Sequence, residues 1–491
     1  MLHRNFIGGA WREGAEVYRD INPSDTADVV GEYAHAGPEH ALEAVSAARA
    51  CAPAWARSGI QQRFDLLDRI GSEILARKDE LGRLLSREEG KTLPEGIGEA
   101  ARAGQIFKFF AGEALRNAGE LLPSVRPGVG VEIAREPVGV IAAITPWNFP
   151  LAIPAWKIAP ALAFGNAVVF KPAELVPACA WALADIIVRA FAEIFGDARY
   201  AGAFGLLMGR GSTAGEALVT SAEVDAISFT GSAAVGRAIG ASVFGGDRPM
   251  KKLQLEMGGK NPLVVLDDAD LDVAATCAIQ GAFYSTGQRC TASSRFVVTN
   301  GIHDRFVAAV TERMRDFVVD DALKAGTQIG PVVDERQLAQ DLSYLAIAQS
   351  EGAQRACGGE RLERATEGYY LAPVLWTGTT PEMRINREEI FGPAATVIRV
   401  DDYDEAVAVA NDTAFGLSAG ICTTSLAHAA RFKRDAEAGM VMVNLATAGV
   451  DHHVPFGGRK GSSHGPREQG AYAREFYTTV KTAYVNATPS S

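Results

Sequence analysis

Residues 138–150 read "VGVIAAITPWNFP", and the first seven form an apolar run with none of the alternation of a strand that wets one face. Such a run fits a strand buried on both sides, as in a parallel sheet covered by helices. Two prolines then bound a short loop that carries Asn148. In open parallel sheets ligands bind beyond the carboxyl ends of the strands, so this loop is a first candidate for a site.

Working outward, similar short runs recur: "AVVF" (167–170), "AISF" (226–229), "PLVVL" (262–266), "FVVT" (296–299), "AGICT" (419–423) and "MVMVN" (440–444). Helical patterns separate them; one spans 61–89, where Phe64, Leu67, Ile70, Ile74, Leu81, Leu84 and Leu85 share a period. Strands alternating with helices predict an α/β class with parallel sheets. Two stretches depart from it. Residues 124–137, "SVRPGVGVEIAREP", and the C-terminal "EFYTTVKTAYV" read as extended ribbons without local partners. They could pair with each other as an oligomerisation arm.

With 491 residues, two to four domains or subdomains are expected. The chain is 47% hydrophobic, enough for large cores, and its net charge of -11 disfavours nucleic acid as a partner, which demands a basic face. The longest apolar stretch, 150–170, is interrupted by Pro154, Lys157 and Pro160, so no spanning helix is expected. The N-terminus lacks a signal-peptide pattern. A soluble, cytoplasmic protein without a membrane partner follows as the expectation. Six cysteines without a CxxC pair fit neither a disulfide framework nor a zinc site, and no metal is implied.

Cys290 stands apart from the other five, in "TGQRCTASSR" (286–295). Its small neighbours allow a ligand to approach, and a nucleophilic thiol needs that access together with stabilisation of its charge. A thiol in such a loop can equally be inert. Asn148 has an amide suited to a developing oxyanion, or to an Asx turn between prolines. Glu256, before the Gly-Gly of "LQLEMGGKNP" (253–262), suits a general base or a plain ion pair. "FTGSAAVG" (229–236) places Gly231 and Ser232 at a helix start fit for a phosphate, although the full dinucleotide glycine pattern is missing. "KPAE" (171–174) offers Lys171 and Glu174 to ribose hydroxyls.

"ITPWNFP", "KPAE", "FTGS", "LEMGGKNP", "GQRCTASSR", "EEIFGP" (388–393) and "PFGGRKGS" (455–462), in that order, resemble the aldehyde dehydrogenase superfamily nearly end to end. The resemblance implies Cys290 as nucleophile, Glu256 as the base for the deacylating water, Asn148 in the oxyanion hole and Glu468 in proton relay. It further implies Lys171 and Glu174 on the adenosine ribose, Gly231 and Ser232 near the pyrophosphate, and Glu389 and Phe391 at the nicotinamide riboside. Ile144, Thr145, Pro146, Trp147 and Gly258 complete the implied cofactor set. Retention of Glu256 favours hydrolysis over acyl transfer to coenzyme A. Glu174 favours NAD, with NADP as a permitted second.

The resemblance also implies a division: 1–118 and 138–257 as a Rossmann-type NAD-binding domain, 258–460 as an α/β catalytic domain, 119–137 and 474–491 as the arm of a homodimer or homotetramer. "WKIAPALAFGNAVVFKPAE", "TGQRCTASSR" and "GSSHGPREQG" look most like the branch that oxidises 2,5-dioxopentanoate, and "KGSSHGPREQG" is one residue longer than the commoner version. On a helix expected over 98–117, Arg102, Ile106, Phe109 and Glu113 share one face. An arginine there needs a partner. It is either a grip on a substrate carboxylate or an ion pair with Glu99 or Glu113. Arg289 is a second candidate for substrate, its position beside Cys290 arguing that it turns away.

Trp156, Phe456 and Thr291 match substrate-wall positions and Thr447 to Val450 the tunnel mouth; His452 and His453, adjacent on a loop and so pointing to different sides, fit solvent-facing or tunnel-rim roles rather than a metal site. Succinate or glutarate semialdehyde and broad-range aldehydes remain alternative substrates. A catalytically silent structural protein on this fold is disfavoured, because Cys290, Glu256, Asn148, Lys171 and Glu389 are all present.

Overall fold

A computed structural model describes residues 1–245 and 250–486. The last five residues of the arm expected over 474–491 lie outside the described residues. All seven apolar runs form strands, and they fall into two sheets. The first sheet has five parallel strands at its centre, in the spatial order Lys252–Glu256, Ala226–Thr230, Val140–Ile144, Ala167–Lys171, Phe204–Leu206. From Val140–Ile144 the chain adds strands to one side, then returns with Ala226–Thr230 on the other. That reversal opens a crevice between the two strand ends, where a ligand fits.

Burial explains the unbroken apolar runs. Ile141, Ala143, Val168 and Phe170 belong to one buried cluster, while Val140, Ala142, Ala167, Val169, Ile227 and Phe229 belong to another. Successive side chains point to opposite faces, so a sheet covered on both must be apolar at every position. The second sheet repeats the pattern. Leu263, Val265, Phe296 and Val298 face one core and Val264, Val297 and Ile421 the other. Its strands run parallel except at the Gln354–Cys357 edge.

The two extended ribbons pair with one another. Thr478–Asn486 lies antiparallel to Val129–Pro137 over nine residues, and Glu120–Pro123 completes a three-stranded sheet. Its Leu121, Val480 and Tyr484 are exposed.

Three features differ from the sequence expectation. The pattern over 61–89 is two helices, Ile60–Ala76 and Lys78–Glu89, broken at Arg77. The helix of Arg102 runs Leu93–Ala114 rather than 98–117, because Thr92 and Glu95 form a capping box that starts it earlier. The strand Ser463–His464 returns to the first sheet, beside Leu255 and Glu256, so the tail beyond 460 rejoins the N-terminal half. Among the described residues no helix is long and apolar enough to cross a membrane.

Candidate active site

The crevice is a cleft of about 720 Å³, within the range of roughly 300–1,000 Å³ usual for ligand sites. Ile144, Thr145, Pro146 and Trp147 line it from the end of one strand, Gly231 and Ser232 from the next, and Lys171 and Glu174 close one end. Ser232 caps the helix Ala233–Phe244, which turns its free N–H groups to the cleft. Burial pushes the Lys171 ammonium down to about 8. The hydroxyls of Thr145 and Thr230 line this cleft, buried and without a partner. Orphaned hydroxyls, a helix start and a lysine–glutamate pair together fit a dinucleotide, with phosphates at the helix and a ribose at the far end.

Near the Cys290 loop, Glu389 lies against Gly258, where an added Cβ would come within 2.0 Å of its carboxylate. Gly258 is therefore glycine for space, and the Gly259 N–H donates to Glu389 at 2.8 Å. Burial pushes this carboxyl up to about 7. Phe391, with a positive φ of 64°, sets its ring edge-on to Trp147 at 5.5 Å and joins the two halves.

Cys290 follows three residues in left-handed backbone: Ser285 (φ 52°), Thr286 (φ 56°) and Gly287 (φ 67°). For a β-branched Thr this conformation is strained and must be held by its surroundings. Glu95 accepts from the Ser285 N–H at 2.8 Å and from its hydroxyl at 2.9 Å, and the Thr286 hydroxyl donates to Gly330 O. Asn261 donates its amide to the carbonyls of Cys290 and Ala292 at 2.8 and 2.9 Å. The thiol is half-buried, and burial, with the carboxylates of Glu389 and Glu256 nearby, pushes it up to about 12. Asn148 reaches the same loop from the first sheet, donating to Gln288 O at 2.9 Å. Its own carbonyl is held by the buried Lys91, which also pairs with Glu99 at 2.8 Å, while Glu99 caps the Leu151 and Ala152 N–H groups.

Glu256 ends the strand Lys252–Glu256, buried, with its carboxyl pushed well up by desolvation and by the neighbouring Glu468. Glu468 itself is buried against Lys157 and accepts from Ser228 at 3.2 Å. Lys157, which in sequence only interrupted an apolar run, is thus the fully buried counter-ion of Glu468.

The wall beyond the thiol holds Arg102, Trp156, Phe456 and Gln469. Trp156 and Phe456 stack at 5.4 Å, Arg102 lies over the Trp156 ring at 5.6 Å, and Arg102 Nη2 donates to Gln469 Oε1 at 3.2 Å. The expected alternative of an ion pair is not what forms: Glu99 is taken by Lys91 and Glu113 by Arg116. Among the described residues Arg102 has no carboxylate within ion-pair distance. Arg102 Nε, Trp156 Nε1 and Gln469 Nε2 are buried donors without acceptors.

Two expectations are corrected. Arg289 does not join Arg102: its Nη2 donates to the carbonyls of Gln280 and Gly281 at the end of the helix Leu271–Ala282, and its Nε is buried without an acceptor among the described residues. Those carbonyls are left open by the helix itself, and a cation satisfies them. Thr447 is not at a mouth. It is fully buried behind the nucleophile loop, donating to Thr291 O at 2.7 Å, which makes Thr291 backbone rather than side chain the anchored group. His452 is half-buried and His453 exposed, their rings 5.4 Å apart. Glu95, Lys91, Asn261 and Gln469 were missed in sequence, because each acts on a residue far along the chain.

The chain is 42% identical over 486 residues to the alpha-ketoglutaric semialdehyde dehydrogenase of Bacillus subtilis (strain 168), covering 98% of this chain and 97% of that protein. It is 37% identical over 480 residues to the 2,5-dioxopentanoate dehydrogenase of Saccharolobus solfataricus, covering 97% and 98%. The fold matches that of a betaine aldehyde dehydrogenase from Staphylococcus aureus, solved in complex with NAD+, with a TM-score of 0.94 and 32% identity over 99% of this chain and 96% of that one. The aldehyde dehydrogenase family model matches residues 11–483, so the chain belongs to the aldehyde dehydrogenase family.

Proposed function

We propose that this enzyme oxidises 2,5-dioxopentanoate to 2-oxoglutarate with NAD, through a thioester on Cys290. The observation that carries the substrate is the wall of Arg102, Trp156 and Gln469: a cation with one amide acceptor, and three buried N–H groups (Arg102 Nε, Trp156 Nε1, Gln469 Nε2) without an acceptor among the described residues. Buried donors call for acceptors, and a guanidinium fits a carboxylate bidentately. The relatives named for the same semialdehyde support the reading.

The thiolate of Cys290 attacks the aldehyde carbon. The Asn148 amide and the Cys290 N–H are the donors to the oxygen that becomes negative. NAD, when bound, supplies the acceptor for the hydride lost from that carbon. Thr145, Thr230 and Ser232 would hold its phosphate end, Lys171 and Glu174 the adenosine ribose, and Glu389 and Phe391 the nicotinamide riboside. Glu256 then takes a proton from the water that opens the thioester, and the carboxylic acid leaves. The raised affinity of Glu256 for protons suits that task at neutral pH. Glu468 and Lys157 lie behind it as the route by which this proton leaves.

The exposed apolar residues of the three-stranded sheet support a homodimer or homotetramer built through that arm. A monomer in sedimentation velocity would remove this part. Six unpaired cysteines accord with a reducing cytoplasm. The substrate is tested by kcat/KM across aldehydes of matched length: those ending in a carboxylate should exceed their neutral counterparts by about a hundredfold. Equal values would reject a semialdehyde acid.

A further inference from the structure

The residue opposite Glu256 on the neighbouring strand is Ser463, the second serine of "KGSSHGPREQG". Its hydroxyl donates to Glu256 Oε2, and Ser463 Oγ in turn accepts from the Gly458 N–H at 2.6 Å. With that lone pair occupied by a donor, the hydroxyl hydrogen is directed to the carboxylate. The other oxygen, Oε1, lies over Gly457, where a Cβ would approach it to 2.8 Å, and accepts no hydrogen bond among the described residues. We infer that Ser463 is a positioning residue for the general base: it fixes Glu256 by one oxygen and leaves the other free toward the thioester.

The strand pairing itself runs through the backbone, Leu255 with His464 and Glu256 with Ser463, so it does not need the hydroxyl. The hydroxyl supplies charge stabilisation as well as aim. Desolvation and Glu468 favour the protonated carboxyl; Ser463 is the strongest of the groups opposing them, ahead of Lys157 and Arg467. Arg467 donates to Gly458 O and makes no ion pair with Glu256. The Cys290 thiol is within electrostatic reach of Glu256. Removing the hydroxyl should therefore raise the proton affinity of Glu256 and let it rotate, weakening deacylation without touching attack by the thiol.

The inference rests on Glu256 being the deacylating base. In rapid mixing with NAD and aldehyde, Ser463→Ala should keep the first turnover and lower the steady-state rate about tenfold or more, the effect of losing a hydrogen bond to a charged group. A burst of NADH then appears. A base works when ionised, so the acid limb of the steady-state rate should move to higher pH by about one unit. Ser463→Thr should restore both. An unchanged rate and profile, a first turnover that falls in step with steady state, or no rescue by Thr would each overturn the inference. Glu256→Gln separates the two readings. A single turnover followed by a stall keeps Glu256 as base, whereas undiminished turnover removes that role and the inference with it.

Discussion

Truncating Arg102 to Ala should cost acid substrates far more than neutral ones. The guanidinium sits in the wall beside the thiol with one amide partner and one indole ring and, among the described residues, no carboxylate within ion-pair distance. Two unit charges about 4 Å apart attract by roughly 4 kcal/mol at the effective dielectric of a protein site, and truncating one member of a desolvated pair costs about 2–5 kcal/mol. For 2,5-dioxopentanoate and succinate semialdehyde that is a fall in kcat/KM of about 30- to 5,000-fold. Pentanal, which lacks the carboxylate, should lose only what the Gln469 and Trp156 contacts contribute, about tenfold at most. The variant should also unfold no more easily than the wild type, since burial outweighs the attraction of Glu99 and Asp451 for this charge and, among the described residues, no carboxylate forms an ion pair with it. The assay is steady-state kinetics for the three aldehydes with saturating NAD, together with thermal unfolding of both proteins. If all three substrates fall together, or none does, the clamp is refuted and Arg102 is a structural residue. A large loss of stability would point the same way.

Three further outcomes follow from the site. Because burial and two carboxylates hold the Cys290 thiol up to about 12, alkylation by iodoacetamide without cofactor should speed up about tenfold per pH unit from 7 to 9; a plateau below pH 8 would contradict it. Lys91→Met leaves the buried Glu99 without its counter-ion and frees the carbonyl of Asn148, so it should cost about 3–5 kcal/mol in denaturant unfolding and lower kcat as well. A stability change below about 1 kcal/mol would show that the pair does not brace the loop. Glu174→Gln removes a negative charge from the ribose end of the cleft, and fluorescence titration should find NADP bound about tenfold more tightly relative to NAD. No change in the ratio would place the 2′ position elsewhere.

The sequence by itself determined the class of fold and the chemistry of its motifs, since both are written locally. An apolar residue at every position of a short strand means cover on two faces, and each such run became a parallel strand. Glycines beside Glu256 mark close approach, and Gly258 does lie against Glu389. Only the tertiary structure decided which partners the charged residues take. Arg102 could have met Glu99 or Glu113 on its own helix, yet Lys91 and Arg116 hold those two, and Gln469 answers from 367 residues away. Arg289 and Thr447 looked like substrate positions; Arg289 instead holds the end of the helix Leu271–Ala282 and Thr447 the backbone of the nucleophile loop. Ser463 could not be assigned to Glu256 before the register of two strands was known, with 207 residues between them. A hydrogen bond or an ion pair is a contact of a few ångströms, and sequence spacing fixes such contacts only within one helix or strand.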